Sequence, residues 1–114
     1  MRIFVAALSL LILAGCVGPS DLAKNKPSVT VSTSKSPKAY ALCVFPKWQA
    51  ARTDSSMVET ETGYRLLVAS NNMADELLEI NKSSSGSKVV LYQRMPWSMM
   101  MGREAIESSV RSCL

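Results

Sequence analysis

Two helical patterns, one near the middle of the chain and one at its end, each carry a cysteine on their apolar stripe. Ser36 followed by Pro37 is typical of a helix start, because serine caps free backbone N–H groups and proline fits the first turn. From there the apolar side chains recur at helical spacing: Tyr40, Cys43, Val44, Trp48 and Ala51. The second pattern covers residues 103–113, with apolar positions at Ile106, Val110 and Cys113. A core shared by both helices would bring Cys43 and Cys113 together.

Pro46 lies inside the first helical pattern. Proline removes one helical hydrogen bond and clashes with the preceding turn, so the helix either kinks there or ends near Phe45. Because Trp48 and Ala51 continue the apolar stripe beyond the proline, we expect a kink.

Four short segments between the helical patterns have the composition of strands. They are residues 57–61, 64–69, 77–82 and 88–95, and polar or glycine-containing turns separate them. In the first segment we expect Val58 and Thr60 to face inward and Glu59 and Glu61 outward. Short connections between successive strands predict an antiparallel meander. The sequence therefore predicts an α+β domain over residues 37–114: an N-terminal helix, three to four antiparallel strands and a C-terminal helix, with both helices on one sheet face.

The N-terminus combines a basic residue, a short apolar run and a cysteine. Arg2 precedes an apolar stretch at residues 3–13, which is too short for the roughly 20 residues of a membrane span and suits a cleaved signal peptide. The following Leu13-Ala14-Gly15-Cys16 resembles the lipobox of bacterial lipoproteins. The resemblance implies that residues 1–15 form a signal peptide, and that Cys16 is lipidated by acyl chains such as palmitate. The alternatives are a plain secretory signal with a neighbouring cysteine and a retained transmembrane helix.

The lipobox resemblance also implies an address in the cell envelope. Val17 stands where an aspartate usually marks retention in the inner membrane of Gram-negative bacteria. We therefore expect a lipid-anchored protein on the periplasmic face of the outer membrane. Residues 16–36 are rich in serine, threonine, proline and lysine and predict a flexible tether, in which residues 29–31 alternate weakly like a strand. The lysines near the anchor either attract anionic lipid headgroups or are ordinary solvated side chains: Lys24, Lys26, Lys35 and Lys38.

With Cys16 acylated, two cysteines remain. Two thiols in an oxidising compartment usually pair, so we expect a disulfide between Cys43 and Cys113. Such a bridge gives a small domain much of its stability. The alternative is a reactive or metal-binding thiol pair, which the wide sequence separation and the lack of histidine disfavour.

The start of the first helix also resembles other proteins. Cys43 and Trp48, with four residues between them, resemble the opening of the folded part in a group of small uncharacterised bacterial lipoproteins that place a second cysteine on a last helix. The resemblance would cover residues 37–114. Pro46 departs from the pattern. The group carries no assigned activity, so the resemblance implies the architecture and not a reaction.

The composition disfavours several chemistries. The chain has no histidine, which removes the common Ser–His and Cys–His pairs and the commonest metal ligand. The acidic residues of the domain could in principle supply a catalytic carboxylate pair, but most are expected on solvent-facing surfaces or in loops: Asp54, Glu59, Glu61, Asp75, Glu76, Glu79, Glu104 and Glu107. Neither a phosphate-binding glycine loop nor a basic stripe with aromatics occurs. We predict no enzyme activity, no cofactor, no resident metal, no small-molecule substrate and no nucleic-acid partner.

One segment is unusual for its methionines. Met95, Trp97, Met99, Met100 and Met101 lie within seven residues. Methionine fills irregular gaps in cores, but a methionine-rich surface also suits a protein partner or lipid, and thioethers bind Cu(I). The sequence thus predicts a membrane-anchored lipoprotein with a non-catalytic structural or interaction role in the envelope. The membrane is its first partner, and an envelope protein is a possible second. The alternative is a periplasmic Cu(I)-binding protein that uses the methionine cluster.

Overall fold

The computed structural model describes residues 18–114, which form a five-stranded antiparallel sheet with three helices, an α+β fold. The elements in chain order are α1 (Pro19–Leu22), β1 (Val29–Thr33), α2 (Pro37–Ala51), β2 (Ser55–Glu59), β3 (Gly63–Ser70), β4 (Met73–Ser83), β5 (Gly86–Gln93) and α3 (Arg103–Ser112). The lipobox and Cys16 lie outside the described residues.

The sheet has the order β1-β5-β4-β3-β2. Strands β2 to β5 form a meander, and β1 pairs with the free edge of β5, from Val29 opposite Leu91 to Thr33 opposite Ser87. β1 lies within residues 16–36, where a flexible tether was expected, and it makes the sheet one strand larger than predicted. Val29 explains this difference, because its side chain is buried in the core while its backbone completes the edge of β5.

Helices α2 and α3 pack together on one face of the sheet. Between them and the sheet lies the main core, which includes Tyr40, Ala41, Val44, Trp48, Leu66, Val68, Leu78, Ile80, Val89, Leu91, Ile106 and Val110. The short α1 lies apart from this core, with Leu22 buried against Ala74 and Leu77 of β4. The helix that starts at Pro37 is therefore the second helix of the described chain and not its first element.

Helix α2 runs through Pro46 to Ala51. Its N-cap is Ser36, whose hydroxyl accepts a hydrogen bond of 3.2 Å from the backbone N–H of Ala39. Pro46 is exposed, and so is Leu42, whose carbonyl would otherwise accept the missing helical hydrogen bond. This part of the helix faces solvent, where a carbonyl without a helical donor costs less than it would in the core.

The bounds of all four predicted strands differ from those observed, and two differences matter here: the inward-facing positions of β2 and the start of β4. In β2, Met57 packs against the core and Val58 is exposed, so the inward positions lie one residue away from those expected. Strand β4 begins at Met73 rather than at residue 77, because the β3–β4 connection is a tight hairpin at Asn71 and Asn72. Both asparagines adopt positive φ (49° and 62°), which asparagine tolerates better than most residues.

The predicted disulfide between Cys43 and Cys113 is present, with Cα atoms 5.8 Å apart. It joins α2 to the C-terminal end of α3 at the end of the sheet where β5 begins. There Lys35 donates a hydrogen bond of 2.7 Å to the Cys113 carbonyl, and Ser87 donates one to the Lys35 carbonyl. We call this the disulfide end, and the opposite end, where β5 stops and β4 begins, the loop end.

Candidate interaction surface and its ionic support

The methionine-rich segment forms a loop, residues 95–101, between β5 and α3 at the loop end; we call it the Met-Trp loop. Its apolar side chains are among the most exposed of the described chain: Trp97 is 79%, Met99 86% and Met101 84% exposed. Met95 is also exposed, and only Met100 is partly buried. The sequence left three explanations for the methionine cluster: core packing, contact with a partner or lipid, and Cu(I) binding. Core packing does not apply to the tip of the loop.

A buried arginine holds the base of this loop, and Arg52 also donates a hydrogen bond of 3.3 Å to the Met101 carbonyl. Arg103, at the start of α3, is only 4% exposed. Its guanidinium donates hydrogen bonds to the carbonyls of Met95 (2.7 Å), Ser98 (2.8 Å) and Arg94 (2.8 Å). It also pairs with the Glu76 carboxylate at 2.6 Å. The planar guanidinium has five N–H donors in a fixed arrangement, so these bonds fix the path of the loop backbone.

The loop backbone is unusual at both of its ends. Met95 has a φ of 52°, a left-handed conformation that a non-glycine residue rarely adopts. Its cost is offset by the Arg103 hydrogen bond to the Met95 carbonyl. Gly102 has a φ of 76°, and a Cβ atom there would lie 2.9 Å from the Ala51 carbonyl oxygen. Position 102 therefore requires glycine, both for its conformation and for the close approach of α2.

A second ionic group lies beside Arg103, centred on Asp75. The register pairs Val68 with Glu76 but Ala69 with Ala74, so Asp75 is the extra residue of a β-bulge. Its carboxylate accepts hydrogen bonds from Ser70 (2.6 Å) and from Arg94 (2.6 Å at the closer nitrogen). Arg52, the C-cap residue of α2, lies 3.4 Å from the same carboxylate.

The two neighbouring carboxyl groups titrate differently. Burial raises the pKa of Asp75, but the hydrogen bonds from Ser70 and Arg94 outweigh it and bring this pKa below the ordinary value of 3.8. Burial also raises the pKa of Glu76, and here the opposing effects of Arg103 and Gln93 do not compensate, so this pKa is above its ordinary value. Adjacent residues of one strand thus lie in electrostatically different surroundings.

Asp75 and Glu76 differ from the expectation that most acidic side chains would lie on solvent-facing surfaces or in loops. Both are almost completely buried, and each has an arginine partner far away in the sequence, Arg94 for Asp75 and Arg103 for Glu76. In the sequence, Arg94 and Arg103 flank the Met-Trp loop, and this placement could have indicated that carboxylates bind there. The β-bulge that directs Asp75 toward its partners has no corresponding sequence pattern.

The geometry gives little support to a Cu(I) site built from the methionines. The Met95 sulfur accepts a hydrogen bond of 3.4 Å from Arg94. Met99 and Met100 line a surface groove of about 560 Å³ beside α3. Met100 also lines a second depression, together with Met101, Arg52 and Arg94. Cationic side chains beside the thioethers disfavour a bound cation. Within residues 18–114, no group of three or more His, Cys, Asp or Glu side chains is placed to hold a metal ion.

Comparison with known proteins gives no relative. No protein-family model matches the chain, and no curated protein or solved structure matches it. None of the helices in the described part of the chain is long and apolar enough to cross a membrane.

Proposed function

We propose that the chain is a lipoprotein of the cell envelope, anchored through Cys16, and that it acts without catalysis by contacting a partner through the Met-Trp loop. The observation that carries this proposal is the exposed tip formed by Trp97, Met99 and Met101, above a base that Arg103 holds by hydrogen bonds. Contiguous exposed apolar side chains mark interaction sites, and tryptophan and methionine are enriched in such sites.

The support beneath the tip distinguishes it from an ordinary surface loop. Burying an ion pair such as Arg103–Glu76 brings little net stability, because both charges lose their hydration. The pair instead positions the loop, since the same guanidinium binds three carbonyls at the loop's base. A preorganised loop loses less conformational entropy when it binds.

The second part of the proposal is the lipid anchor at Cys16. The order of basic residue, short apolar run and Leu13-Ala14-Gly15-Cys16 supports lipidation. Each buried methylene of an acyl chain contributes about 0.8 kcal/mol, so several chains on Cys16 would hold the protein firmly at the membrane. The disulfide supports an oxidising compartment such as the periplasm.

The proposal is tested in two steps on protein produced in a bacterial host. The intact mass of membrane-extracted protein should show cleavage after Gly15 and acyl chains on Cys16. A photo-crosslinking amino acid at position 97 or 100 should then trap an envelope component. The same amino acid at Leu42, which is 55% exposed on α2, is the matched control and should trap none. An unmodified Cys16, or equal crosslinking at positions 42 and 97, would contradict the proposal.

A further inference from the structure

Resting on the proposed lipid anchor, we infer that the Met-Trp loop contacts the bilayer surface itself, so that the domain stands with its loop end on the membrane. The first argument is where the chain enters the fold. β1 begins at the loop end, since Val29 pairs with Leu91 near the end of β5. Helix α1 packs through Leu22 against Ala74 and Leu77, in the first half of β4. The N-terminal chain therefore meets the domain at the same end as the loop.

The second argument is the reach of the anchor. Cys16 precedes Pro19, the first residue of α1, by three positions. Three extended residues span at most about 10 Å. Because Leu22 is completely buried against the sheet, the folded domain begins almost directly at the lipidated residue. A domain attached so closely has the end that carries its anchor near the headgroups.

The third argument is the chemistry of the loop end. Tryptophan is enriched at membrane interfaces, where its ring and its N–H group find apolar and wet surroundings at once. Trp97 lies between the exposed Met95 and Met99 in the sequence. No other part of residues 18–114 covers these side chains. Insertion of these side chains to the depth of the acyl boundary would remove their apolar surface from water.

The fourth argument is the distribution of lysines. Lys24 and Lys26 lie in the segment between α1 and β1 and are exposed, with Asp21 as a solvated partner of Lys24 at 3.9 Å. This segment keeps a net positive charge at the loop end. Lys35, in contrast, is bound to the Cys113 carbonyl at the disulfide end. Of the lysines expected near the anchor, only the first two are placed to attract anionic headgroups.

The test measures the depth of Trp97 in a bilayer. The mature lipidated protein is reconstituted into vesicles of phosphatidylethanolamine and phosphatidylglycerol that contain brominated phosphatidylcholine. Trp48 is buried and present in every sample, so the Trp97→Phe variant provides the spectrum to subtract. The matched control is Leu42→Trp in the Trp97→Phe background, which places a tryptophan at an exposed site of α2 away from the loop.

We expect brominated lipid to quench Trp97 strongly and aqueous iodide to quench it severalfold less than it quenches the tryptophan at position 42. Lys24→Glu/Lys26→Glu should reduce the lipid quenching of Trp97, while Lys38→Glu, at the start of α2 and the disulfide end, should not. Equal iodide quenching at positions 97 and 42, with no effect of brominated lipid, would overturn the inference.

The intact mass and vesicle flotation separate the two possible failures. A protein that is acylated and floats with the vesicles, but keeps Trp97 accessible to iodide, would leave the proposed anchor intact and refute only the contact with lipid. A loop covered by a protein partner would give this result. A protein without acyl chains would overturn both the anchor and the inference.

Discussion

The two ends of α3 are attached to the rest of the fold by different chemistry. At its C-terminal end Cys113 forms the disulfide with Cys43, and Tyr40 donates a hydrogen bond of 2.6 Å to the Val110 carbonyl. At its N-terminal end Arg103 binds one carboxylate and four backbone carbonyls. A helix of ten residues is marginal by itself, so both attachments are needed to hold it. The covalent attachment provides stability, and the ionic one also determines the shape of the adjoining loop.

The largest loss of stability is expected from breaking the ionic attachment of α3. Arg103→Met should destabilise the fold by about 5 kcal/mol, because it leaves Glu76 buried without its counter-charge and removes the donor to four carbonyls. Denaturant unfolding followed by circular dichroism measures this loss. Arg65→Met is the matched control. Arg65 pairs with Glu79 at 3.3 Å but is 41% exposed, so its loss should cost less than about 1 kcal/mol. Equal losses for the two variants would show that the buried pair is no more important than a surface pair.

Breaking the covalent attachment should have a slightly smaller effect. Cys43→Ser/Cys113→Ser is expected to lose about 4 kcal/mol, since the bridge closes a chain separation of 70 residues. Unfolding of the wild-type protein under reducing conditions should give the same loss. Coincident melting curves for the oxidised wild type and the double variant would mean that the disulfide contributes nothing to stability.

A pH titration distinguishes the two attachments of α3, because the disulfide does not titrate, whereas Asp75 and Glu76 near the ionic attachment do. The pKa of Asp75 is lower in the folded than in the unfolded chain, so its contribution to stability is present above pH 3.8 and is lost as the pH falls through the folded value. Glu76 has the opposite sign: its pKa is raised, so its contribution declines as the pH rises above 4.5. Asp75→Asn should therefore reduce the loss of folding stability below pH 3.8. Glu76→Gln should reduce the decline in stability above pH 4.5. Unchanged curves for both variants would contradict these assignments.

The smallest effect is expected at the tip of the Met-Trp loop. Trp97→Ser should change the free energy of unfolding by less than about 0.5 kcal/mol, because the side chain is largely exposed. Trp48→Ser, in the core, should cost several kcal/mol and serves as the contrast. Thermal melting of both variants is sufficient to measure the difference. A large loss at position 97 would mean that the tip belongs to the fold and is not kept for contact.

The sequence predicted those parts of the structure that rest on local patterns. Ser36-Pro37 marked the start of α2, and the spacing of Ile106, Val110 and Cys113 marked α3. The α+β class and the antiparallel strands followed from short segments and short turns. Strand β1 was given only as a weak alternation, because its stability comes from the edge of β5, which is about 60 residues away in the chain.

The ionic support of the candidate site was not predictable in the same way. Asp75 and Glu76 have the composition of a surface turn, and their burial depends on a bulge and on distant arginines. Met95, Trp97, Met99 and Met101 were identified from the sequence as a cluster, but their exposure depends on the backbone that Arg103 fixes. Local composition therefore identified the residues of the Met-Trp loop. The ionic network that supports this loop depends on tertiary contacts and could not be identified in that way.

The disulfide has a mechanical consequence for a protein held by its N-terminus. Residues 43–113 form a closed covalent ring that contains four of the five strands, and among the described elements α1, β1 and the first part of α2 precede the ring. If the N-terminal anchor proposed at Cys16 and the disulfide were pulled apart, only residues 16 to 43 could extend, to about 90 Å. The ring itself would stay closed. With the proposed anchor, tension on the N-terminus would therefore act first on α1 and the edge strand β1, which lie outside the ring.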